Sequence, residues 1–131
     1  MSNVPADLRY TKTHEWVRSL SDGTLEIGIT DHAQHALGDL VFVEVPDAGR
    51  TVSAGDPCAV VESVKAASDV YAPLGGEITG GNGELKSTPE LVNSDPYGAG
   101  WLMRLKPASK AALDSLMTAP DYESMLKAEG G

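Results

Sequence analysis

Short runs of alternating hydrophobic and polar residues fill most of the chain and predict β-strands. The clearest alternation places Leu25, Ile27 and Ile29 on one face of a strand. The predicted strands lie at residues 15–17, 24–30, 40–45, 77–79 and 101–105. Fourteen glycines and eight prolines separate these runs, which indicates many short elements joined by turns rather than long helices.

Two parts of the chain change to a helical period. Residues 31–37 predict a short helix after the second predicted strand, with Thr30 or Asp31 as its N-cap and Gly38 at its end. Hydrophobic residues recur at helical spacing in residues 109–128, which predicts C-terminal helices packed on the β body. The pattern therefore predicts a mainly β fold with a few helices.

Residues 60–73, with the sequence VVESVKAASDVYAP, differ from the other predicted strands. β-Branched residues at both ends favour two strands, and the small or polar residues between them favour a turn. A single lysine, Lys65, lies near the middle. The segment therefore predicts a β-hairpin that displays a lysine within reach of an enzyme.

Length and charge narrow the class of protein. At 131 residues, the chain is predicted to be a single domain, residues 1–131. Its net charge of -9 argues against binding to nucleic acid or to anionic membranes, which requires clustered lysine and arginine. No apolar run approaches the ~20 residues that would span a bilayer. We expect a soluble protein inside the cell.

The single cysteine and the histidines suggest no further chemistry. Cys58 stands among apolar residues and is predicted to be a buried core residue in a reducing compartment, since it has no cysteine with which to pair. His32 and His35 share a face of the predicted short helix, but two histidines without a carboxylate or cysteine partner are weak evidence for a metal site. We therefore predict a solvated helix face and no metal.

Lys65 is not expected to be a catalytic group. A Schiff-base lysine must be partly neutral near pH 7, which requires burial or a neighbouring cation. The sequence shows neither, and Glu62 and Asp69 favour the charged ammonium. The other possibilities are an attachment point for a prosthetic group and an ordinary surface lysine, and residue types alone favour the second.

A family resemblance changes that balance. The segment ESVKAASDVYAP closely resembles the lipoylation motif of the glycine cleavage H proteins, with Lys65 at the modified position. Glu62, Ser63, Val64 and Ala66 then belong to the attachment hairpin. The likeness continues, in the family's order, at residues 12–17 (KTHEWV), 28–46, 90–98 (ELVNSDPYG) and 100–107. It covers essentially the whole chain.

The resemblance implies a fold and a function. The fold is a barrel-sandwich hybrid of two antiparallel sheets, of the lipoyl- and biotinyl-carrier type. The function is that of a non-catalytic carrier with lipoate attached covalently to Lys65. Such a carrier takes the aminomethyl group from the pyridoxal-phosphate-dependent P protein to the tetrahydrofolate-dependent T protein. It passes reducing equivalents to the L protein, dihydrolipoamide dehydrogenase.

The same resemblance implies a location and a further partner. A lipoate-attaching enzyme must modify Lys65, and neither nucleic acid nor a membrane is an expected partner. We expect a cytoplasmic protein in a bacterium, or a protein of the mitochondrial matrix in a eukaryote.

The loaded arm is expected to need shelter from water. An exposed ion pair contributes only about 0 to 1 kcal/mol, so a carboxylate at the hairpin tip could not hold the aminomethyl cation. We expect a cleft near the hairpin in which apolar contacts and a less exposed acid act together. Glu15 and Asp69 are the candidates by resemblance. Some family members have a histidine directly before the Leu-Gly pair that ends the short helix. This chain has Ala36 there, and its histidine, His35, lies one residue earlier, so the resemblance assigns no role to His35.

Two alternative functions stay open. One is a lipoyl relay that supplies lipoate to the 2-oxoacid dehydrogenases. The other is a β-rich interaction module in which Lys65 is unmodified.

Overall fold

A computed structural model describes residues 4–129, without the side chains of residues 110 and 111. Within this range the strands are β1 (Arg9–Tyr10), β2 (Glu15–Ser19), β3 (Leu25–Ile29), β4 (Leu40–Glu44), β5 (Thr51–Val52), β6 (Pro57–Ser63), β7 (Ala67–Tyr71), β8 (Gly76–Gly81) and β9 (Met103–Pro107). The helices are α1 (Asp31–Leu37), α2 (Leu91–Ser94) and α3 (Ala119–Ala128), with 3-10 turns at Gly83–Lys86 and Lys110–Ser115.

The strands form two antiparallel sheets, which confirms the predicted fold class. The described residues give a six-stranded sheet in the order β1-β2-β3-β9-β8-β5 and a three-stranded sheet in the order β4-β6-β7. The β6–β7 hairpin, which belongs to the smaller sheet, pairs Val60 with Asp69 and Glu62 with Ala67. As predicted, Cys58 is buried, in a core cluster with residues of the larger sheet.

Helices α1 and α3 pack against this β body. Thr30 caps α1 by accepting a hydrogen bond from the Ala33 N–H, as predicted, and Gly38 ends the helix with a φ of 86°. Helix α3 packs against β1, where Tyr122 stacks on Tyr10 with ring centroids 4.6 Å apart. The predicted packing of a C-terminal helix on the β body is therefore confirmed for α3. None of the helices formed by residues 4–129 is long and apolar enough to cross a membrane.

Several elements differ from the sequence pattern. Strand β1 was not predicted, since it has only two residues and depends on pairing with β2. The last strand begins at Met103, two residues later than expected, because Trp101 leaves the sheet and packs under the Arg104 guanidinium, 4.3 Å from the ring centroid. Where the sequence predicts the first C-terminal helix, the structure has the 3-10 turn Lys110–Ser115. The side chain of Ser109 makes no capping hydrogen bond to this turn.

A buried tryptophan joins the larger sheet to the loop after α2. Trp16 is 0% exposed, and its indole N–H donates to the carbonyl of Pro96 over 2.8 Å. Gly28 lies opposite Trp16 on β3. A Cβ at Gly28 would lie 2.7 Å from the indole Nε1, closer than two such atoms can pack. The absence of a side chain at Gly28 is therefore what admits the indole.

Substitution of Gly28 with alanine tests this packing. Because the added methyl group must displace Trp16 or separate β2 from β3, we expect Gly28→Ala to lower the free energy of unfolding by about 1–3 kcal/mol. Urea denaturation followed by tryptophan fluorescence measures the change. Gly83→Ala is the matched control, since a Cβ at Gly83 has no described atom within 4 Å. Equal stability of the two variants would contradict the packing argument.

Candidate functional site

The hairpin turn between β6 and β7 is held by the side chain of Ser63. Its hydroxyl accepts the N–H groups of Ala66 at 3.1 Å and Lys65 at 3.3 Å. The Ser63 N–H in turn donates to the Ala66 carbonyl over 2.8 Å. These bonds satisfy the backbone of a very short turn, and the turn directs the side chain at its centre away from the sheet.

Lys65 is exposed at the tip of this turn, as the sequence predicted. Its neighbour Val64 is 84% exposed, and Ala66, Ala67 and Ser68 are also exposed. No large side chain therefore covers the amine. The lysine stem lies over Gly38, where a Cβ would be 3.3 Å from the lysine Cε and 3.8 Å from Nζ.

Asn93 fixes the end of α1 under the lysine. Its Oδ1 accepts the Leu40 N–H over 2.9 Å, and its Nδ2 donates to the Gly38 carbonyl over 2.9 Å and to the Gln34 Oε1 over 3.0 Å. One side chain thus joins α2, α1 and the start of β4. The NSDPYG segment therefore positions the surface on which the lysine stem lies.

A cavity of about 190 Å³ opens between the hairpin and α1. Its lining combines apolar side chains with hydroxyl, imidazole and carboxyl groups. The lining residues are Thr13, His14, Glu15, Ile29, Ala33, Ala36, Leu37, Val61, Ser68, Asp69 and Val70. The structure thus brings the predicted cleft residues Glu15 and Asp69 to one cavity. Leu37 of its wall directly precedes Gly38, over which the lysine stem lies.

Glu15 is the buried acid of this cavity. The side chain is 2% exposed, and its Oε1 accepts the hydroxyl groups of Thr11 and Thr13. The Tyr71 N–H reaches the other oxygen at 3.4 Å. Burial nevertheless raises the pKa of Glu15 above its ordinary value, against the opposing effect of these hydrogen bonds. A cation placed beside the carboxyl would favour its ionised form.

Asp69 differs from Glu15 in its surroundings. It lies on β7 opposite Val60 and is exposed to solvent. The cavity therefore has one carboxyl at its buried wall and one at its rim. Glu15 also borders a second cavity, of about 480 Å³, on the side of Tyr10 and Tyr71, which Asp69 does not line.

The histidines of α1 do not contribute to this cavity. His35 is exposed and lies outside the lining, while His32 is half-buried with its ring 4.7 Å from that of His14. The histidine that does line the cavity, His14, was not predicted, and neither were Thr11 and Thr13. The KTHEWV segment contains His14 and Thr13, but their roles depend on the loop conformation before β2.

Comparison with known proteins gives one consistent family. A family model described as Glycine cleavage H-protein matches residues 8–129. A glycine cleavage system H protein of Pseudoalteromonas atlantica is 61% identical over 129 residues, 98% of this chain and 100% of the relative. One of Halorhodospira halophila is 58% identical over 130 residues, 99% of this chain and 100% of the relative.

A solved structure agrees with these sequence matches. The crystal structure of a glycine cleavage system H protein from Mycobacterium marinum superposes with a TM-score of 0.83 at 41% identity. The match covers 98% of this chain and 100% of that chain.

The raised pKa of Glu15 predicts a pH dependence of stability. The native protein holds the Glu15 proton more tightly than the unfolded chain does, so stability should fall as pH rises from the ordinary value of 4.5 through the native pKa. Glu15→Gln lacks this proton. The difference in unfolding free energy, wild type minus variant, should therefore decrease with rising pH in urea titrations between about pH 4 and 8. A constant difference would show that burial does not shift this carboxyl.

Proposed function

Because this chain belongs to the glycine cleavage H-protein family, we propose that it carries lipoate as an amide on Lys65 and shuttles the aminomethyl group of glycine cleavage. The observation that carries the proposal is the exposed lysine on a hydrogen-bonded hairpin beside a cavity with carboxyl groups at its wall and rim. Each part of that arrangement has a place in the carrier function.

The hairpin residues fit a lysine that another enzyme must modify. Val64 and Ala66 flank Lys65 without covering it, and Ser63 holds the turn from below. Glu62, half-buried at the last strand pair, completes the attachment hairpin. A lipoate-attaching enzyme can therefore enclose the tip and reach the amine without unfolding the sheet.

When bound, lipoate supplies a disulfide that can accept the aminomethyl group and later be regenerated from the dithiol. The protein's own residues then shelter what is carried. Glu15 places a carboxylate at the buried wall, and Asp69 places a second one at the rim. The apolar side chains of Leu37, Val61 and Val70 keep water from the enclosed end of the arm.

The two carboxyl groups have different roles in this proposal. An exposed carboxylate such as Asp69 contributes little to holding an amine, but it attracts the cation to the cavity. The carboxyl of Glu15 is buried, and the groups that donate to it, Thr11, Thr13 and the Tyr71 N–H, are neutral, so a cation gains more from it than from an exposed acid. No side chain of the carrier needs to make or break a bond.

The partners of the proposed carrier are the P protein, the T protein and the L protein. Each must approach the same hairpin, because the arm is attached there. The exposed apolar side chains Val41 and Phe42, 56% and 46% exposed, lie on β4 beside the hairpin and support contact with other proteins at this face. The bacterial relatives and the free thiol of Cys58 support a cytoplasmic location.

Replacement of Lys65 tests the attachment site directly. We expect Lys65→Arg to fold normally, to remain unmodified when incubated with a lipoate-attaching enzyme, and to reduce glycine cleavage to the level without carrier. The reason is that a guanidinium keeps the charge but cannot form the amide. Reconstituted glycine decarboxylation and intact mass measure the two effects. Lys86→Arg, at another exposed lysine, should be modified and active, and full activity of Lys65→Arg would remove Lys65 from the account.

Replacement of Glu15 tests the shelter. We expect Glu15→Gln to accept lipoate normally but to lose the carried aminomethyl group roughly tenfold faster, since a charge-assisted hydrogen bond of about 1.5–3 kcal/mol is weakened. Release of formaldehyde and ammonia from the isolated loaded carrier gives the rate. Glu77→Gln, an exposed residue outside the cavity, is the control. An unchanged decay rate in Glu15→Gln would leave the cavity without a protective role.

A further inference from the structure

Three side chains that can act as metal ligands come together from separate elements. They lie beside the cavity of about 190 Å³ described above, here called the arm cavity. His14 comes from the loop before β2, His32 from the first turn of α1, and Glu129 directly follows α3. One nitrogen or oxygen atom of each lies within 4.8 Å of those of the other two. The His14 Nε2 lies 3.9 Å from the Glu129 Oε1.

The backbone and a hydrogen-bond chain orient His14 toward this meeting point. His14 has a φ of 70°, and it is the single non-glycine residue among residues 4–129 whose φ is positive. The His14 Nδ1 lies 2.8 Å from the Tyr122 hydroxyl, which lies 2.8 Å from the hydroxyl of Thr30. The Tyr122 hydroxyl can accept a hydrogen bond from the Nδ1–H of His14 and donate one to the Thr30 hydroxyl. In that tautomer the Nε2 of His14 carries no proton, and its lone pair is available.

We propose that His14, His32 and Glu129 bind a divalent cation of the zinc class. Two imidazole nitrogens and one carboxylate oxygen are a ligand set suited to Zn²⁺, with a solvent molecule completing a tetrahedral site. The Nδ1 of His14 bonded to a buried hydroxyl supplies the second-shell contact that fixes a ligating histidine.

The distances are compatible with this assignment. Ligand atoms of a tetrahedral zinc site with bonds of about 2.1 Å lie about 3.4 Å from one another. Side-chain rotation must therefore shorten the present separations by about 1.4 Å at most, starting from the 4.8 Å limit. Glu129 is exposed at the end of α3 and can make that adjustment.

A bound cation would add a second connection between three elements that the His14–Tyr122–Thr30 hydrogen-bond chain already joins. It would tie the end of α3 and the start of α1 to the loop that contains Thr13 and precedes Glu15. That loop forms one wall of the arm cavity. The site uses no atom of Lys65, so it exists whether or not the lysine is modified.

Titration with Zn²⁺ tests the proposal on untagged, metal-stripped protein that carries unmodified Lys65. Isothermal calorimetry should give one zinc ion per chain, and zinc should raise the melting temperature. His32→Gln and Glu129→Gln should each bind at least about tenfold more weakly and lose the thermal shift. The matched controls are His35→Gln and Glu123→Gln, which change exposed residues of α1 and α3 and should bind zinc as the wild type does.

Three results would overturn the proposal. The first is the absence of stoichiometric zinc binding by the wild type. The second is binding that survives in both ligand variants. The third comes from cobalt substituted for zinc, if its absorption spectrum has a thiolate band that places the ion on Cys58 instead. Because these readouts are binding and melting temperature, they are independent of glycine cleavage activity, and failure here leaves the carrier function untouched.

Discussion

The hairpin that displays Lys65 depends on the hydroxyl of Ser63. By accepting two backbone N–H groups, it closes a turn that is too short to satisfy them through the strand ladder. The β6–β7 strand pairing continues directly behind this turn, and Asn93 donates to the Gly38 carbonyl beneath the lysine stem. A flexible arm attached to Lys65 would therefore start beside the cavity, which favours its entry there.

The cavity adds a second constraint, which is electrostatic. Glu15 is held in a buried position by hydroxyl groups of the preceding loop, and burial raises its pKa. Such a carboxyl destabilises the empty protein when ionised and is better satisfied when a cation lies beside it. In the proposed function, the buried carboxyl whose ionisation costs folding free energy is the one that would hold the amine. The proposed zinc site includes His14, the residue that precedes Glu15.

Local pattern was sufficient for much of this architecture. The alternation around Leu25, Ile27 and Ile29, the helix between Thr30 and Gly38, and the lysine hairpin are all encoded in neighbouring residues, and all are present. Features set by distant partners were not predictable. Strand β1 needs β2, and His14 meets His32 and Glu129 through tertiary packing alone. The prediction that Glu15 and Asp69 share one cavity came from the family resemblance. Nothing in their sequence spacing indicates that they lie close together.

The central claim is that Lys65 carries a covalent lipoyl group, and mass spectrometry of protein purified from its own cells tests it most directly. Intact mass gives the number of groups per chain, and fragmentation of the peptide containing residues 60–73 locates them. The account predicts chains with one lipoyl group, on Lys65, when lipoate is available to the cells. Chains that are uniformly unmodified under those conditions, or modified at another lysine, would contradict it.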